Sequence, residues 1–258
     1  MKYLFIDNKI RDIEYNYLKS LNYEIILIPT NLKIYDEISS HTDIHICKIK
    51  DKVIVSKEIY EYLNNEFFSI NKYLDLKDKI IKGDSYIIDN YPLDVKYNIF
   101  QFNKYVVHNF KYTDLKCLDI IEELDLEKID VNQGYSNCSC LNILDKVCIT
   151  SDIDIYNKLI NKIDNKNINI VYIDKDKCDI KLLKNYNKEY INNIMLYSAM
   201  KGFVGGCMSY IDNKLILFGD SKYIYNFEKI KSILILNNIE IIEFKNIDLI
   251  DYGKIIEV

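Results

Sequence analysis

The 258-residue sequence has few of the residues that separate domains, with only two prolines and seven glycines. No stretch rich in Ser, Gly and Pro marks a linker, and 49% of the residues are hydrophobic, so we predict a single domain over residues 1–258. Arginine is also scarce, since Arg11 is the one arginine among 34 basic residues. With a net charge of −5, the lack of an arginine-rich stripe argues against a nucleic-acid partner.

Long hydrophobic runs are lacking as well. No run of about 18 apolar residues predicts a spanning helix, and the N-terminal segment reaches Asp7 too early to form the apolar core of a signal peptide. The seven cysteines are odd in number and irregularly spaced, which is not typical of a disulfide framework. We therefore expect a reduced, soluble, cytoplasmic protein with no membrane partner.

One pattern occurs five times: an apolar strand, an Asx-Lys turn and a second apolar strand. The turns are Asn8-Lys9, Asp51-Lys52, Asn103-Lys104, Asp145-Lys146 and Asn213-Lys214. The predicted hairpins span residues 3–13, 44–55, 97–108, 139–150 and 207–218. A segment of helical period and a short β-rich run follow each hairpin, so each unit is predicted to be β-β-α-β. Ser56, Thr113, Asp152 and Ser221 are the predicted N-caps of the last four helices.

A single such unit cannot bury both faces of its sheet. Five units around an axis can, with strands inward and helices outward. The predicted fold is therefore α/β, a five-bladed α/β propeller of ββαβ repeats around a pseudo-five-fold axis. An open α/β sheet is the alternative that periodicity alone permits.

Aligning the units on their turns places His45, Tyr97, Ser139 and Cys207 in one column. In a ring, one column is one height near the axis, so these side chains are expected to converge. Asn137-Cys138 has the same position as Gly205-Gly206 and is expected to line the ring.

Two segments carry candidate chemistry. In Gly205-Gly206-Cys207, the glycines let the backbone approach a ligand and leave the thiol uncovered, as a nucleophilic cysteine requires. The alternative is a tight turn before a strand with a buried, inert thiol. The segment from His41 to His45 contains two of the three histidines, and either could activate a cysteine and protonate a leaving amine. Its alternative is a polar loop leading into a strand.

The remaining motifs predict neither a metal nor a cofactor. Cys138, Cys140 and Cys148 lack a Cys-x-x-Cys spacing and a nearby histidine, so no metal site is predicted. No glycine-rich phosphate loop is present, and no cofactor is predicted.

These two segments resemble a known superfamily. Gly-Gly-Cys207-Met-Ser followed by a strand resembles the nucleophile segment of the arginine and agmatine deiminases, and His41-Thr-Asp43 resembles their His-x-Asp segment. These enzymes belong to the guanidino-group-modifying, or pentein, superfamily, whose fold is a five-bladed α/β propeller of ββαβ units. The whole chain also resembles an uncharacterised bacterial group with this fold, with Tyr91-Pro92 and Gln133-Gly134-Tyr135 as further matching features.

The resemblance implies a cysteine-dependent hydrolase or transferase that acts on a small cationic guanidino or amidino compound through a covalent thiouronium-like intermediate. Cys207 would be the nucleophile and His41 the acid/base, with His45 as the alternative that the repeat column favours. Asp43 would bind the substrate, and Asp94 and Asp220 are the further candidate carboxylates. The sequence lacks the Glu-Gly-Gly segment of the deiminases. A catalytically inactive binding or scaffold protein of the same fold therefore stays open.

Overall fold

The computed structural model of the protein describes residues 1–184 and 196–258. Its strands are β1 Tyr3–Asp7, β2 Glu24–Ile28, β3 Ile46–Ile49, β4 Lys52–Val55, β5 Ile80–Lys82, β6 Phe100–Phe102, β7 Tyr105–His108, β8 Glu127–Asp130, β9 Cys140–Ile143, β10 Val147–Thr150, β11 Asn169–Tyr172, β12 Ile180–Leu183, β13 Tyr197–Lys201, β14 Met208–Ile211, β15 Lys214–Leu217, β16 Glu240–Ile242, β17 Leu249–Ile250 and β18 Ile256–Glu257. Its helices are α1 Asp12–Ser20, α2 Thr42–His45, α3 Lys57–Glu66, α4 Leu74–Lys77, α5 Leu115–Glu123, α6 Ser136–Ser139, α7 Ile153–Lys162 and α8 Phe227–Leu236.

The four hairpins predicted after the first are confirmed. They are β3-β4, β6-β7, β9-β10 and β14-β15, each antiparallel. In each unit a helix follows the hairpin, and the third strand then pairs parallel with the second, which gives the sheets β3-β4-β5, β6-β7-β8, β9-β10-β11 and β14-β15-β16. The β-β-α-β order of these four units is therefore as predicted.

The predicted hairpin over residues 3–13 is wrong. After β1 the chain makes a turn, in which the Ile10 N–H donates to the Asp7 carbonyl over 3.2 Å, and it enters α1 at Asp12. The antiparallel partner of β1 is β18, from the other end of the chain. Tyr3 and Val258 exchange two backbone hydrogen bonds of 2.9 Å, while β2 pairs parallel on the other side of β1. The first unit is thus completed by the last strand of the sequence.

Two of the predicted helix caps are displaced by one residue, and one of the predicted helices begins late. Asp114, rather than Thr113, caps α5 through a hydrogen bond from the Lys116 N–H. Asp220, rather than Ser221, caps a short 3-10 turn, and α8 begins only at Phe227. Asp caps these positions well because its carboxylate accepts the free N–H groups of a first turn.

A sixth three-stranded sheet, β13-β12-β17, was not predicted. Its strands come from segments without an Asx-Lys hairpin, and β17 leads through a short loop into β18. The core lies between strands and helices: Ile59 and Leu63 of α3, for example, pack with Ile46 and Val53. The α/β class is confirmed, whereas the closed ring of five blades stays a prediction.

Among the residues that the structure describes, no helix is both long and apolar enough to cross a membrane.

Candidate functional site

The segments that lead into the first strands of the units converge on one place. Asn98, just before β6, donates through Nδ2 to the Asp43 carbonyl of α2 and to the Cys138 thiol of α6, both at 3.1 Å. The Asp43 N–H donates to the Gly253 carbonyl in the loop between β17 and β18, over 3.0 Å. Residues from four different parts of the sequence therefore meet here.

His41 lies at the centre of this convergence and is about 1% exposed. Its Nε2 is 3.6 Å from an Asp7 carboxylate oxygen, and its Nδ1 is 3.9 Å from an Asp251 carboxylate oxygen. Neither ring nitrogen has a hydrogen-bond partner among the described residues. Burial lowers the pKa of His41 well below its usual value, and the charge of Lys9 adds to this effect. The imidazole is therefore neutral at pH 7 and can both accept and donate a proton.

Two carboxyl groups next to His41 are held in different ways. Asp251 accepts backbone hydrogen bonds from Phe203 at 2.7 Å and from Gly253 at 2.8 Å. Neither oxygen of Asp43, in contrast, accepts a hydrogen bond of good geometry in the described part of the chain, although the Cys138 thiol and Asn98 lie close enough to oppose the rise of its pKa. Burial raises the pKa of Asp251 to about 6 and that of Asp43 to about 7, and the Asp251 charge contributes to the second shift. A buried carboxyl group without a partner is costly, and a cationic ligand would offset that cost.

A third carboxyl group, that of Asp7, lies on the Nε2 side of the His41 ring. Ser40 Oγ donates to Asp7 over 2.7 Å, and Lys9 Nζ lies 3.8 Å from the second carboxylate oxygen. Burial raises the pKa of Asp7, and the Lys9 charge opposes this shift.

A cavity of about 310 Å³ is lined by His41 and Asp251, whereas Asp43 and Asp7 are not among its lining residues. Its polar lining includes His41, Cys138 and Asp251, and one lysine, Lys201, also lines it. The other side chains around it are aromatic or apolar: Tyr35, Ile38, Tyr91, Tyr135, Leu182, Met200 and Phe203. Such a cavity, mostly apolar with a few convergent polar groups, is typical of small-molecule sites. We name it the His41 cavity.

Glycines make the close packing around Asp251 and His41 feasible. A Cβ atom at Gly206 would lie 1.9 Å from Asp251 Oδ1, a distance that no side chain permits. Gly253 has a φ of +63°, and a Cβ there would lie 2.4 Å from the His41 Cβ. Gly206 therefore permits the approach of Asp251, while Gly205 permits close packing against the backbone of Cys138 and Cys140.

Cys207 does not line the His41 cavity. Its thiol is fully buried in a hydrophobic cluster that includes Val204 and Cys178, and Sγ donates to the Val204 carbonyl over 3.2 Å. Burial raises the pKa of Cys207 well above its usual value, and the nearby Asp251 charge adds to this rise. Cys207 and His41 thus share Asp251 as a neighbour, while the cysteine that lines the cavity is Cys138.

The three residues that the sequence aligns with Cys207, namely His45, Tyr97 and Ser139, each contact different neighbours. His45 Nε2 lies 3.2 Å from the Ser39 carbonyl and Nδ1 lies 3.3 Å from Glu58, in a different cavity. The Tyr97 hydroxyl contacts Ser85 and Asp114, and the Ser139 hydroxyl donates to a carbonyl of α6's N-cap residue. The structure gives each of these four side chains different neighbours and does not bring them together.

Of the two further candidate carboxylates, Asp94 contacts a residue that lines the His41 cavity, whereas Asp220 is held by backbone groups elsewhere. Asp94 is buried and accepts a hydrogen bond of 2.7 Å from the hydroxyl of Tyr135, a wall residue of the His41 cavity. Burial raises the pKa of Asp94 to about 6. Asp220 accepts backbone N–H groups from Lys222 and Asn246, which lowers its pKa, and it is not a lining residue of the cavity.

Sequence reasoning missed the roles of Asn98 and Asp251. Neither belongs to a sequence motif. Asp251 follows the two-residue strand β17, which no hydrophobic pattern in the sequence predicts. Cys138 was expected to line the ring and does line the cavity, but its spacing with Cys140 drew attention to metal binding instead. In the described residues, no group of three or more His, Cys, Asp and Glu side chains is placed to hold a metal ion.

Comparison with solved structures identifies the fold. A mutant of DDAH from Pseudomonas aeruginosa complexed with citrulline matches with a TM-score of 0.52 and 9% identity, over 94% of this chain and 91% of that chain. A dimethylarginine dimethylaminohydrolase adduct with S-methyl-L-thiocitrulline matches with the same TM-score and 8% identity, over 94% and 92% of the two chains. Agmatine deiminase from C. jejuni is 14% identical with a TM-score of 0.44, over 92% of this chain and 74% of that one. The chain therefore shares its fold with the dimethylarginine dimethylaminohydrolases, and the resemblance seen in the sequence is confirmed at the level of fold.

The chain itself belongs to a family of unknown function, DUF6873, whose model matches residues 5–256. The comparison with curated proteins found no match.

Proposed function

We propose that the protein binds a small guanidino or amidino cation in the His41 cavity and cleaves one of its C–N bonds through a cysteine nucleophile. The observation that carries this proposal is the buried His41 ring, whose nitrogens have no hydrogen-bond partner in the described residues and which lines one cavity together with Cys138 and the Asp251 carboxylate. A planar cation with several N–H donors would donate to the unprotonated nitrogen of His41 and to the Asp251 carboxylate, and its charge would balance the nearby carboxylates.

Cys138 is the nucleophile in this proposal, because its side chain lines the cavity and that of Cys207 does not. Burial raises the pKa of Cys138, and the charges of Asp43 and Asp251 raise it further. A bound cation would offset both carboxylates and lower this pKa, so the thiolate would form only in the presence of substrate.

The chemical steps follow from these groups. Neutral His41 takes the thiol proton, and the Cys138 thiolate forms a C–S bond with the amidinium carbon. The imidazolium then protonates the leaving amine as the C–N bond breaks, which leaves a thiouronium-like adduct. Water, deprotonated by His41, attacks that carbon and the C–S bond breaks, which returns the thiol.

A second function, binding without turnover, is favoured by a separate observation. Burial and carboxylate neighbours raise the pKa values of both Cys138 and Cys207, so neither thiol of the free protein is activated. A protein that only sequesters the cation needs the carboxylates and the aromatic walls but no thiolate.

The test is labelling with 2-chloroacetamidine, followed by intact-mass analysis and peptide mapping. Iodoacetamide serves as a neutral comparison. We expect a single adduct on Cys138, faster with the cationic reagent, and no selective adduct in Cys138→Ser. Loss of the adduct in Cys207→Ser instead would assign the nucleophile to Cys207. Slow, equal labelling of several cysteines, with benzamidine still bound in calorimetry, would establish binding without catalysis.

For the fold, we propose that the five ββαβ units close into a ring. Support comes from a second cavity, which is lined by residues of the first strand of every unit, namely β3, β6, β9, β14 and β18. In addition, β9 contacts both β6 and β14. A cytoplasmic location is proposed on composition alone.

A further inference from the structure

This second cavity has a volume of about 290 Å³ and is lined by three lysines, Lys48, Lys50 and Lys254. Lys48 and Lys50 lie at the end of β3 and just beyond it, while Lys254 comes from the loop before β18. One carboxylate, Glu257, lies among the lining residues. We name this cavity the lysine cavity.

Lys254 is the most enclosed of the three, with 9% of its surface exposed. Its ammonium group donates to Asn137 Oδ1 over 2.5 Å, which leaves its other two N–H groups without an acceptor in the described residues. Burial lowers the pKa of Lys254, and the charge of Asp43 opposes this shift. A buried ammonium group gains stability from a counter-ion, and no carboxylate is within ion-pair distance of Lys254 in the described residues.

The other two lysines are likewise bound to neutral groups. Lys48 Nζ donates to the Glu257 backbone carbonyl over 2.6 Å, and Lys50 Nζ donates to the Asn103 carbonyl over 3.2 Å. Carbonyl oxygens orient an ammonium group without cancelling its charge. The cavity therefore collects three ammonium groups against one lining carboxylate, Glu257, which leaves an excess of positive charge.

The carboxylate of Glu257 does not remove this excess. It accepts a hydrogen bond of 3.1 Å from the Tyr23 hydroxyl, and it lies 3.5 Å from Lys2 Nζ, so its charge is shared with a lysine outside the cavity. Other polar side chains of the lining, such as Ser209 and Asn142, can donate or accept hydrogen bonds.

We propose that the lysine cavity binds a small phosphate-bearing molecule. Lysine is a common phosphate ligand because its ammonium group acts as a point charge that accepts any approach direction. Three such groups match the charge and the several oxygens of a phosphate dianion better than those of a single carboxylate. The volume leaves room for a substituent beyond the phosphate, and the Phe100 ring, 5.3 Å from Lys254 Nζ, offers it an apolar surface.

This site lies in a different cavity from the proposed amidine chemistry. It shares no lining residue with the His41 cavity, although Lys254 influences Asp43 through its charge. The two sites can therefore be tested separately.

The test is isothermal calorimetry of the full chain with inorganic phosphate and with glycerol 3-phosphate, at constant ionic strength set with chloride. We expect saturable binding of at least one of them, and at least tenfold weaker binding in Lys48→Met and in Lys254→Met. Lys166→Met, at an exposed lysine outside the cavity, is the matched control and should bind like the wild type. Tighter binding of glycerol 3-phosphate would identify a phosphomonoester as the ligand class, and equal binding would identify free phosphate.

Absence of saturable binding of both anions by the wild type would overturn the proposal. So would equal affinities in Lys48→Met, Lys254→Met and Lys166→Met, because binding would then reflect general surface charge. Circular dichroism establishes that each variant is folded, and Lys48→Met, at an exposed position, keeps the test valid if Lys254→Met does not fold.

Discussion

At the residue scale, Gly206 shows how one missing side chain supports the candidate site. Its α-carbon packs against the Asp251 carboxylate, and a methyl group there would overlap Oδ1. We predict that Gly206→Ala displaces Asp251 and weakens binding of benzamidine at least tenfold, as measured by calorimetry.

Gly83→Ala is the matched control, because its new methyl group would overlap the Tyr97 hydroxyl, which does not line the His41 cavity. Both variants are expected to lose stability to urea, but only Gly206→Ala should lose affinity. Equal affinity in the two variants would contradict the role of Asp251 in binding.

A second residue, His108, should give the protein a defined response to pH. Nε2 lies 3.2 Å from the Gly134 carbonyl, which can only accept, so Nε2 carries the proton and Nδ1 accepts from the Thr113 hydroxyl at 2.7 Å. Burial lowers the pKa of His108 to about 4. Between about pH 6.5 and pH 4, His108 is therefore protonated in the unfolded chain but not in the folded chain. The contribution of neutral His108 to the free energy of unfolding is complete above pH 6.5 and decreases as the pH falls.

We predict that the difference in unfolding free energy between wild type and His108→Gln shrinks from pH 7 to pH 4.5. The change should be on the order of 1–3 kcal/mol, at about 1.4 kcal/mol per pKa unit. Urea titrations at both pH values measure it. A difference that is the same at the two pH values would show that His108 does not titrate in this way.

At the scale of elements, two helix starts differ in a way that the sequence does not reveal. Asp152 caps α7 by accepting the N–H groups of Asp154 and Ile155, whereas Ser56 occupies the same position before α3 with a buried hydroxyl that has no partner in the described residues. We predict that Asp152→Ala destabilises the protein by about 1 kcal/mol. Ser56→Ala should change the unfolding free energy by less than about 0.5 kcal/mol, because it removes no hydrogen bond. Urea unfolding of both variants measures the contrast, and equal losses would refute it.

At the scale of the whole molecule, β18 joins the end of the chain to its beginning. Ile256 and Glu257 pair antiparallel with Phe5 and Leu4, respectively, and Val258 forms backbone hydrogen bonds with Tyr3. We predict that deletion of residues 256–258 lowers the urea midpoint of the entire protein, because a closed ring would lose the first strand of one unit and open.

Tryptophan is absent, so tyrosine fluorescence and far-ultraviolet circular dichroism would monitor the deletion variant. Glu257→Ala, which keeps the backbone pairing, is the comparison and should unfold close to the wild type. A truncated chain as stable as Glu257→Ala would contradict the closed arrangement and favour the open sheet.

Local signals in the sequence determined the repeating elements. The Asx-Lys turns between apolar strands and the Asp152 cap act within a few residues, so four hairpins and their helices were predictable from pattern and propensity. The resemblance carried by short segments around Cys207 and His41 also pointed to the fold that the comparison with solved structures shows.

Tertiary structure alone decided which residues meet. The pairing of β1 with β18 joins segments some 250 residues apart, and the turn after Asp7 carries the same dipeptide as true hairpins. Cys138, rather than Cys207, lines the His41 cavity, because the Cys207 side chain packs into a hydrophobic cluster of the core. Asp251 enters the site only through the close approach that Gly206 permits, and the three lysines of the second cavity come together only when strands distant in sequence lie side by side.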